Sequence, residues 1–386
     1  MLNGGHALSS TKDEFLTVPP LALQALLNHV SIDEIPSSAD LLAGRALEEQ
    51  LSALSEPPPT VIAVGDIMLG GRAKKAVAEF GPDHPFDAVL PLLRRSPIVI
   101  GNLEGPFAEK AKKQQRNFSY RVDVSQASSL SRAGINVVTL ANNHLLDCGR
   151  SGILETLDAL SNANVFALGA GTNERAAHAP VIQQAGGMRI GLLGYYWNSR
   201  TAATANGPGS AMDPPEALEA DIRALRAHAD RIVATFHWGV PYERMPSTEV
   251  RTKAHFAVDC GADAVVGHHP HIVQPFEIYR DRPIFYSVGN FAFGSGNSRA
   301  EGLLVGLRFE ENKTVVNVYP LYVKNRDPRV NYQPKVLAGR AAERVLNKLM
   351  KISSNSSKFL KLQNGRGIVE LPWMSRSREM TKGIHE

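Results

Sequence analysis

The chain has 386 residues, 43% of them hydrophobic, which allows a sizeable core in one large domain with extensions or in two domains. Its formal charge of +4 is too mild for a global electrostatic case for nucleic acid. Two cysteines, Cys148 and Cys260, exclude a disulfide scaffold and any Cys-x-x-Cys site, and each reads by default as a small buried residue. The start lacks the basic-then-apolar layout of a signal peptide, and no apolar run reaches the length of a membrane span. The chain as given is therefore expected in the cytoplasm, without an integral membrane segment.

In chain order, residues 1–57 read as a helical N-terminal extension, with Leu and Ala at helical spacing over 21–30 and 39–54. Pro57-Pro58-Pro59 punctuates the chain. From residue 58 the pattern becomes α/β. Strands are expected over 60–65, 98–101, 135–141, 165–168, 231–236 and 262–267, with a strand pair, 181–184 and 189–195, around Gly186-Gly187. Helices are expected over 86–95, 125–133, 151–163, 215–229 and 247–260. The segment 197–214, rich in Gly, Ala, Ser and Thr, reads as a flexible flap. Tyr195, Tyr196 and Trp197 before it read equally as pocket lining or as a buried aromatic cluster. A β-rich close follows over 272–279, 284–288, 302–309 and 315–323, with a last helix over 336–350. Residues 324–386 carry 14 Lys/Arg against 5 Asp/Glu and read as a basic helical C-terminal tail. Such a tail is either a solvated helix or a dock for an acidic polymer, a membrane surface or a partner.

Five apolar strands each discharge a polar residue at the carboxyl end. Asp66 follows 60–65, Glu104 follows 98–101, and Asn142, Asn143 and His144 follow 135–141. His237 follows 231–236, and His268, His269 and His271 follow 262–267. In open α/β sheets ligands bind at that edge, so these residues are expected to converge at one edge of one sheet. Asp66 or Asn142 alone reads as a helix cap, but His237 and the His cluster do not. His269 and His271 are two apart and project the same way if the segment is extended.

Asp, Glu, Asn and His without thiolates favour Mn²⁺, Fe or Zn²⁺ over a structural Cys-type zinc. Two carboxylates and several imidazoles are enough for two adjacent divalent ions, a centre that suits phosphoester, ester or amide hydrolysis. His144 and Asp147 are three apart, so Asp147 can orient the imidazole as a general acid. Arg72 offers a planar fork to a phosphate or carboxylate, and reads as readily as a surface residue on the first helix.

Several motifs then appear in order. They are Gly65-Asp66-Ile67-Met68 with Arg72, Asn102-Leu103-Glu104-Gly105, Ala141 to Gly149, His237-Trp238-Gly239, Gly267-His268-His269-Pro270-His271, and Tyr286 to Phe291 with Asn290. Together, over about residues 58–323, they resemble the CapA family of poly-γ-glutamate capsule synthesis proteins, related to calcineurin-like metallophosphoesterases. The resemblance implies a four-layer αββα sandwich with a dinuclear site at the strand ends. It implies Asp66, Glu104 (the bridging carboxylate), Asn143, His237, His269 and His271 as metal ligands. His144 is the catalytic histidine it implies, while Asn102 and Asn290 belong to its motifs without a firm role. The wider superfamily carries a histidine two residues after the Asp, and this chain has Met68 there. One ion thus loses a ligand unless His268 replaces it, so the centre holds two ions or one.

Two functions follow. One is a metal-dependent hydrolase acting on a phosphoester or a γ-glutamyl-type ester or amide, in capsule, poly-γ-glutamate or related biosynthesis. The other is a non-catalytic biosynthesis or export factor that holds an anionic polymer. The partner is a small-molecule or anionic polymer substrate in either case, and not a nucleic acid.

Overall fold

The computed structural model describes residues 35–115, 118–295, 299 and 301–374. In the strand Val61–Met68, Val61 and Ala63 are buried in one apolar core while Ile62 and Val64 are buried in another. Successive side chains of a strand point to opposite faces, so a strand covered on both faces is apolar throughout. That double burial explains the unbroken apolar runs of the sequence.

Two sheets and two helical layers account for the cores. The larger sheet has eleven strands and runs Leu41–Leu42, Lys335–Leu337, Lys313–Tyr322, Glu301–Phe309, Val61–Met68, Ile98–Leu103, Val137–Thr139 and Phe166–Leu168 along its main path. The six-stranded sheet runs Phe276–Tyr279, Arg282–Phe285, Ala264–His268, Arg231–His237, Met188–Tyr196 and Val181–Ala185. Between them lie Val61, Ile98, Ile100 and Val137 from the first sheet and Ile190, Leu192, Val233 and Val266 from the second. The outer face of the larger sheet, through Ile62, Val99 and Val138, packs on Leu92, Leu130, Ile153 and Leu160 of the helical segments. The outer face of the smaller sheet, through Leu193, Ile232 and Val265, packs on Leu218, Ile222, Ala254 and Val258. These are the four αββα layers that the resemblance implies.

Several local expectations change. The strand-end residues come from two sheets, not one: Asp66, Glu104 and Asn142–His144 from the larger, His237 and His268 from the smaller. The strands also run further than the apolar runs suggest, so Asp66, Asn102, His237 and His268 lie within strands. A strand at Asn290–Phe293, not foreseen, pairs in parallel with Val61–Met68 and sets Asn290 beside Asp66. Gly65 is required by this crossing, because a Cβ there would meet the Gly289 carbonyl oxygen at 2.0 Å.

The segment 197–214 is not a loose flap. Gly209–Ser210 pairs with Ala170–Gly171, and Thr201, Ser210, Ala211 and Asp213 are buried. Residues 324–374 are woven into the fold rather than trailing as a tail. Helix Gly339–Ile352 buries Ala342, Leu346 and Leu349 in the inter-sheet core, and Arg366–Pro372 pairs antiparallel with Lys313–Tyr322. Net charge hid this, because the basic side chains share a helix with an apolar stripe that must be covered. At the other end, helix Gly44–Ser52 buries Leu47 and Leu51 in the outer core, so no boundary falls at 57. The described residues from Ser37 onward form one compact unit. The helix expected over 21–30 lies outside the described residues. Among the described residues, no helix is long and apolar enough to cross a membrane.

Candidate metal centre

The two sheets bring their carboxyl ends together, and the polar residues meet there. Asp66 and Glu104 are fully buried, as are Asn102 and His237. The ligand atoms of Asp66, Glu104 and His237 lie within 4.8 Å of one another. Asn102 joins them: its Nδ2 donates to Asp66 Oδ1 at 2.8 Å and to Glu104 Oε1 at 3.1 Å, and lies 3.2 Å from His237 Nδ1. On the other ring nitrogen, His237 Nε2 is 2.8 Å from Asn143 Oδ1. The His237 ring faces that of His269, centroids 4.5 Å apart.

The His cluster approaches Asp66 from the second sheet. His268 Nδ1 is 3.4 Å from Asp66 Oδ1 and His271 Nδ1 is 3.1 Å from Asp66 Oδ2. His271 Nδ1 also lies 3.0 Å from Asn290 Oδ1. His269 and His271 do not converge through an extended segment as expected. Both have left-handed backbones, φ 99° and 56°, and the turn itself brings their rings to 6.1 Å. Such conformations cost on the order of 1–3 kcal/mol each and concentrate at functional sites. Gly267 ahead of them admits no side chain, since a Cβ would lie 2.1 Å from the Tyr286 carbonyl oxygen.

On the opposite side His144 Nδ1 lies 2.7 Å from Asp147 Oδ2, with the pair held by a turn rather than by a helix, which begins only at Gly149. A carboxylate only accepts, so the imidazole carries its proton on Nδ1 and leaves Nε2 open. That nitrogen is 3.8 Å from Glu104 Oε2. Asp147 is itself oriented by the Tyr120 amide, which donates to Oδ2 at 2.7 Å.

Burial disfavours the charged form of each group, and neighbours then push them apart. Burial, then repulsion from Asp66, raises the Glu104 carboxyl to about 7. For Asp66 burial acts upward, but hydrogen bonding and charge from His268 and His271 prevail and hold it well below the usual range. For His271 burial acts downward, but Glu104 and Asp66 prevail and raise it to about 9. Burial and the charge of His271 depress His269 to about 3. Burial and then His269 lower His237.

The donor set fits a divalent cation. Glu104 Oε2 and His269 Nδ1 are buried without a hydrogen-bond partner, while Asp66 meets the Asn102 amide and two imidazoles. A buried carboxylate oxygen without a partner is costly, and a cation bound there would offset that cost. Met68 contributes nothing to it, because its Sδ accepts the Gly70 amide at 3.2 Å.

Of the residues singled out in the sequence, Asp66, Asn102, Glu104, Asn143, His144, Asp147, His237, His268, His269, His271 and Asn290 come together in this one contact network. Arg72 does not join them. It lies exposed at the start of helix Ala73–Phe80, without a side-chain hydrogen bond or ion pair among the described residues. Three tyrosines line the site, of which Tyr120 and Tyr242 escaped the sequence reading and Tyr196 was read as pocket lining or a buried aromatic cluster. Tyr120 packs on His144 with centroids 4.5 Å apart, Tyr196 on His237 at 5.4 Å and Tyr242 on His271 at 6.0 Å. Tyr196 was the one with a signal, as part of an aromatic triplet. Tyr120 and Tyr242 stand singly in polar loops, where nothing marks them.

Comparison with known proteins places these features in a family. The family model described as "Bacterial capsule synthesis protein PGA_cap" matches residues 60–295. The capsule biosynthesis protein CapA of Bacillus anthracis is 35% identical over 282 residues, covering 70% of this chain and 69% of that protein. The PGA biosynthesis protein CapA of Bacillus subtilis (strain 168) is 33% identical over 282 residues, covering 72% and 74%. Among solved structures, a 5′-nucleotidase from Candida albicans aligns at a TM-score of 0.43 and 9% identity, covering 79% of this chain and 60% of that one.

Proposed function

The chain belongs to the bacterial capsule synthesis protein family, and we propose that within it this protein is a metal-dependent hydrolase. Its substrate is a phosphoester or a γ-glutamyl-type ester or amide of an anionic polymer or its precursor. The observation that carries the reading is the His144–Asp147 pair at 2.7 Å beside the buried carboxylates. A divalent ion of the Mn²⁺, Fe or Zn²⁺ kind would draw its ligands from among Asp66, Glu104, Asn143, His237, His269 and His271. Bound there, it supplies Lewis-acid polarisation of a substrate oxygen and lowers the pKa of water. The chain's own residues do the rest. Asp147 fixes the His144 tautomer, and Nε2 faces the buried carboxylates, where it can hold a proton for a leaving group. A role confined to holding polymer leaves this aligned acid without a use.

The test is a panel of nitrophenyl phosphomonoesters, phosphodiesters and γ-glutamyl anilides, each with Mn²⁺, Fe²⁺ or Zn²⁺, for the wild type and His144→Ala. Turnover of one class is expected, falling about 100-fold or more in the variant with metal content unchanged. Metal uptake without turnover of any class supports the polymer-holding reading instead. Equal turnover in the variant removes His144 as the acid.

A further inference from the structure

We infer that this centre holds a single divalent ion, because the side-chain amide of Asn102 fills the corner shared by Asp66, Glu104 and His237. The inference rests on the metal-binding part of the proposed function. The amide's orientation is fixed by its neighbours. The His144 backbone N–H can only donate, and Asn142 Oδ1 accepts it at 3.0 Å. The Leu103 carbonyl can only accept, and Asn142 Nδ2 donates to it at 2.8 Å. Asn142 is thereby oriented by two backbone groups. Its Nδ2 also reaches Asn102 Oδ1 at 3.1 Å, so the Asn102 oxygen is the acceptor of that pair. The Asn102 NH₂ is left facing the carboxylates.

That NH₂ has two hydrogens, and two carboxylates lie in reach at 2.8 and 3.1 Å, with His237 Nδ1 a third neighbour at 3.2 Å. It stands among three candidate ligands as a cation would, carrying partial positive charge. Turning Asn102 to offer its oxygen would set donor against donor at Asn142, in a pocket where both residues are buried from water. The amide engages one oxygen of each carboxylate. The amide does not reach the others, Asp66 Oδ2 and Glu104 Oε2, and Glu104 Oε2 has no hydrogen-bond partner. They face away from the amide's corner, toward His271 at 3.1 Å and His144 at 3.8 Å. The position left to a cation lies on that side, between those two oxygens.

The experiment strips the full chain with a chelator and titrates it with Mn²⁺, reading stoichiometry by calorimetry and by elemental analysis after desalting. The same samples give an electron paramagnetic resonance spectrum. The wild type is expected to take one equivalent and to show the uncoupled hyperfine pattern of an isolated ion. Asn102→Asp, which replaces the donor by a third carboxylate, is expected to take a second equivalent and show a spin-coupled pair. Two equivalents in the wild type overturn the inference, as does a folded Asn102→Asp that stays at one. No uptake by the wild type overturns the metal reading itself. The wild-type stoichiometry decides the inference even if the variant does not fold.

Discussion

Asp66 and Asn290 are register partners on two parallel strands, and His271 bridges them, with Nδ1 3.1 Å from Asp66 Oδ2 and 3.0 Å from Asn290 Oδ1. The pairing exists only because a strand far along the chain returns to lie against Val61–Met68. Asn290 therefore orients an imidazole that itself meets the central carboxylate. Asn290→Ala is expected to weaken Mn²⁺ binding about 10–100-fold, as partners behind metal ligands typically do, with little change in unfolding midpoint of the metal-free protein. Calorimetry on the chelator-stripped variant checks it. An unchanged affinity removes Asn290 from the centre.

Asp147 Oδ2 meets both His144 Nδ1 and the Tyr120 amide at 2.7 Å, and of the two only His144 faces the buried carboxylates. Asp147→Asn keeps the shape but can present an amide donor to Nδ1, which favours the wrong tautomer. On whichever substrate class the nitrophenyl and anilide panel shows to be turned over, kcat is expected to fall about 100-fold while metal affinity stays within a factor of about two. A parallel loss of metal would show that Asp147 supports the fold of the loop rather than the imidazole.

Metal binding is expected to release protons. Glu104 at about 7 and His271 at about 9 both hold their protons at pH 6.5, and both must lose them to bind a cation. Affinity should therefore rise with pH from about 6 to 9. Calorimetry at pH 6.5 in buffers of different ionisation enthalpy should show at least one proton released. The metal-free protein should show the opposite trend in stability. Both groups titrate above their ordinary values, so their contribution is complete below those values and is lost as pH rises through about 7 and then about 9. Proton-neutral binding at pH 6.5 would exclude both residues as ligands.

The C-terminal strand ends in a lock. Trp373 Nε1 donates to Asp263 Oδ1 at 2.8 Å, and the Arg231 guanidinium lies 3.3 Å from the Trp373 ring centroid. Trp373→Ala removes the ring from the arginine and a donor from a buried carboxylate. It is expected to cost about 2–3 kcal/mol in urea unfolding, half-burial placing it below the full value for a core tryptophan. A change under about 0.5 kcal/mol would mean that the strand is dispensable, as a tail would be.

Much of this architecture was legible because chemistry at a strand end needs residues that a strand would not otherwise carry. Asn142-Asn143-His144 and the His-His-Pro-His run stood out for that reason, and both reached the centre. Long-range pairing was not legible. Nothing local marks Asn290–Phe293 as a neighbour of Val61–Met68, and the cost to Gly65 of that crossing appears only once both strands are in place. The left-handed turns at His269 and His271 were missed because spacing alone suggested an extended chain. The C-terminal residues were misjudged because charge was counted over a segment whose apolar positions, Ala342, Leu346 and Leu349, decide where it lies.

The most direct test of the account is a crystal of the full chain soaked in Mn²⁺, with an anomalous difference map at the manganese edge. The account predicts a peak about 2.0–2.2 Å from Asp66 Oδ2 and Glu104 Oε2, on the side of His271 and His144. A map with no peak between those carboxylates, at a soak that saturates binding in solution, would contradict it.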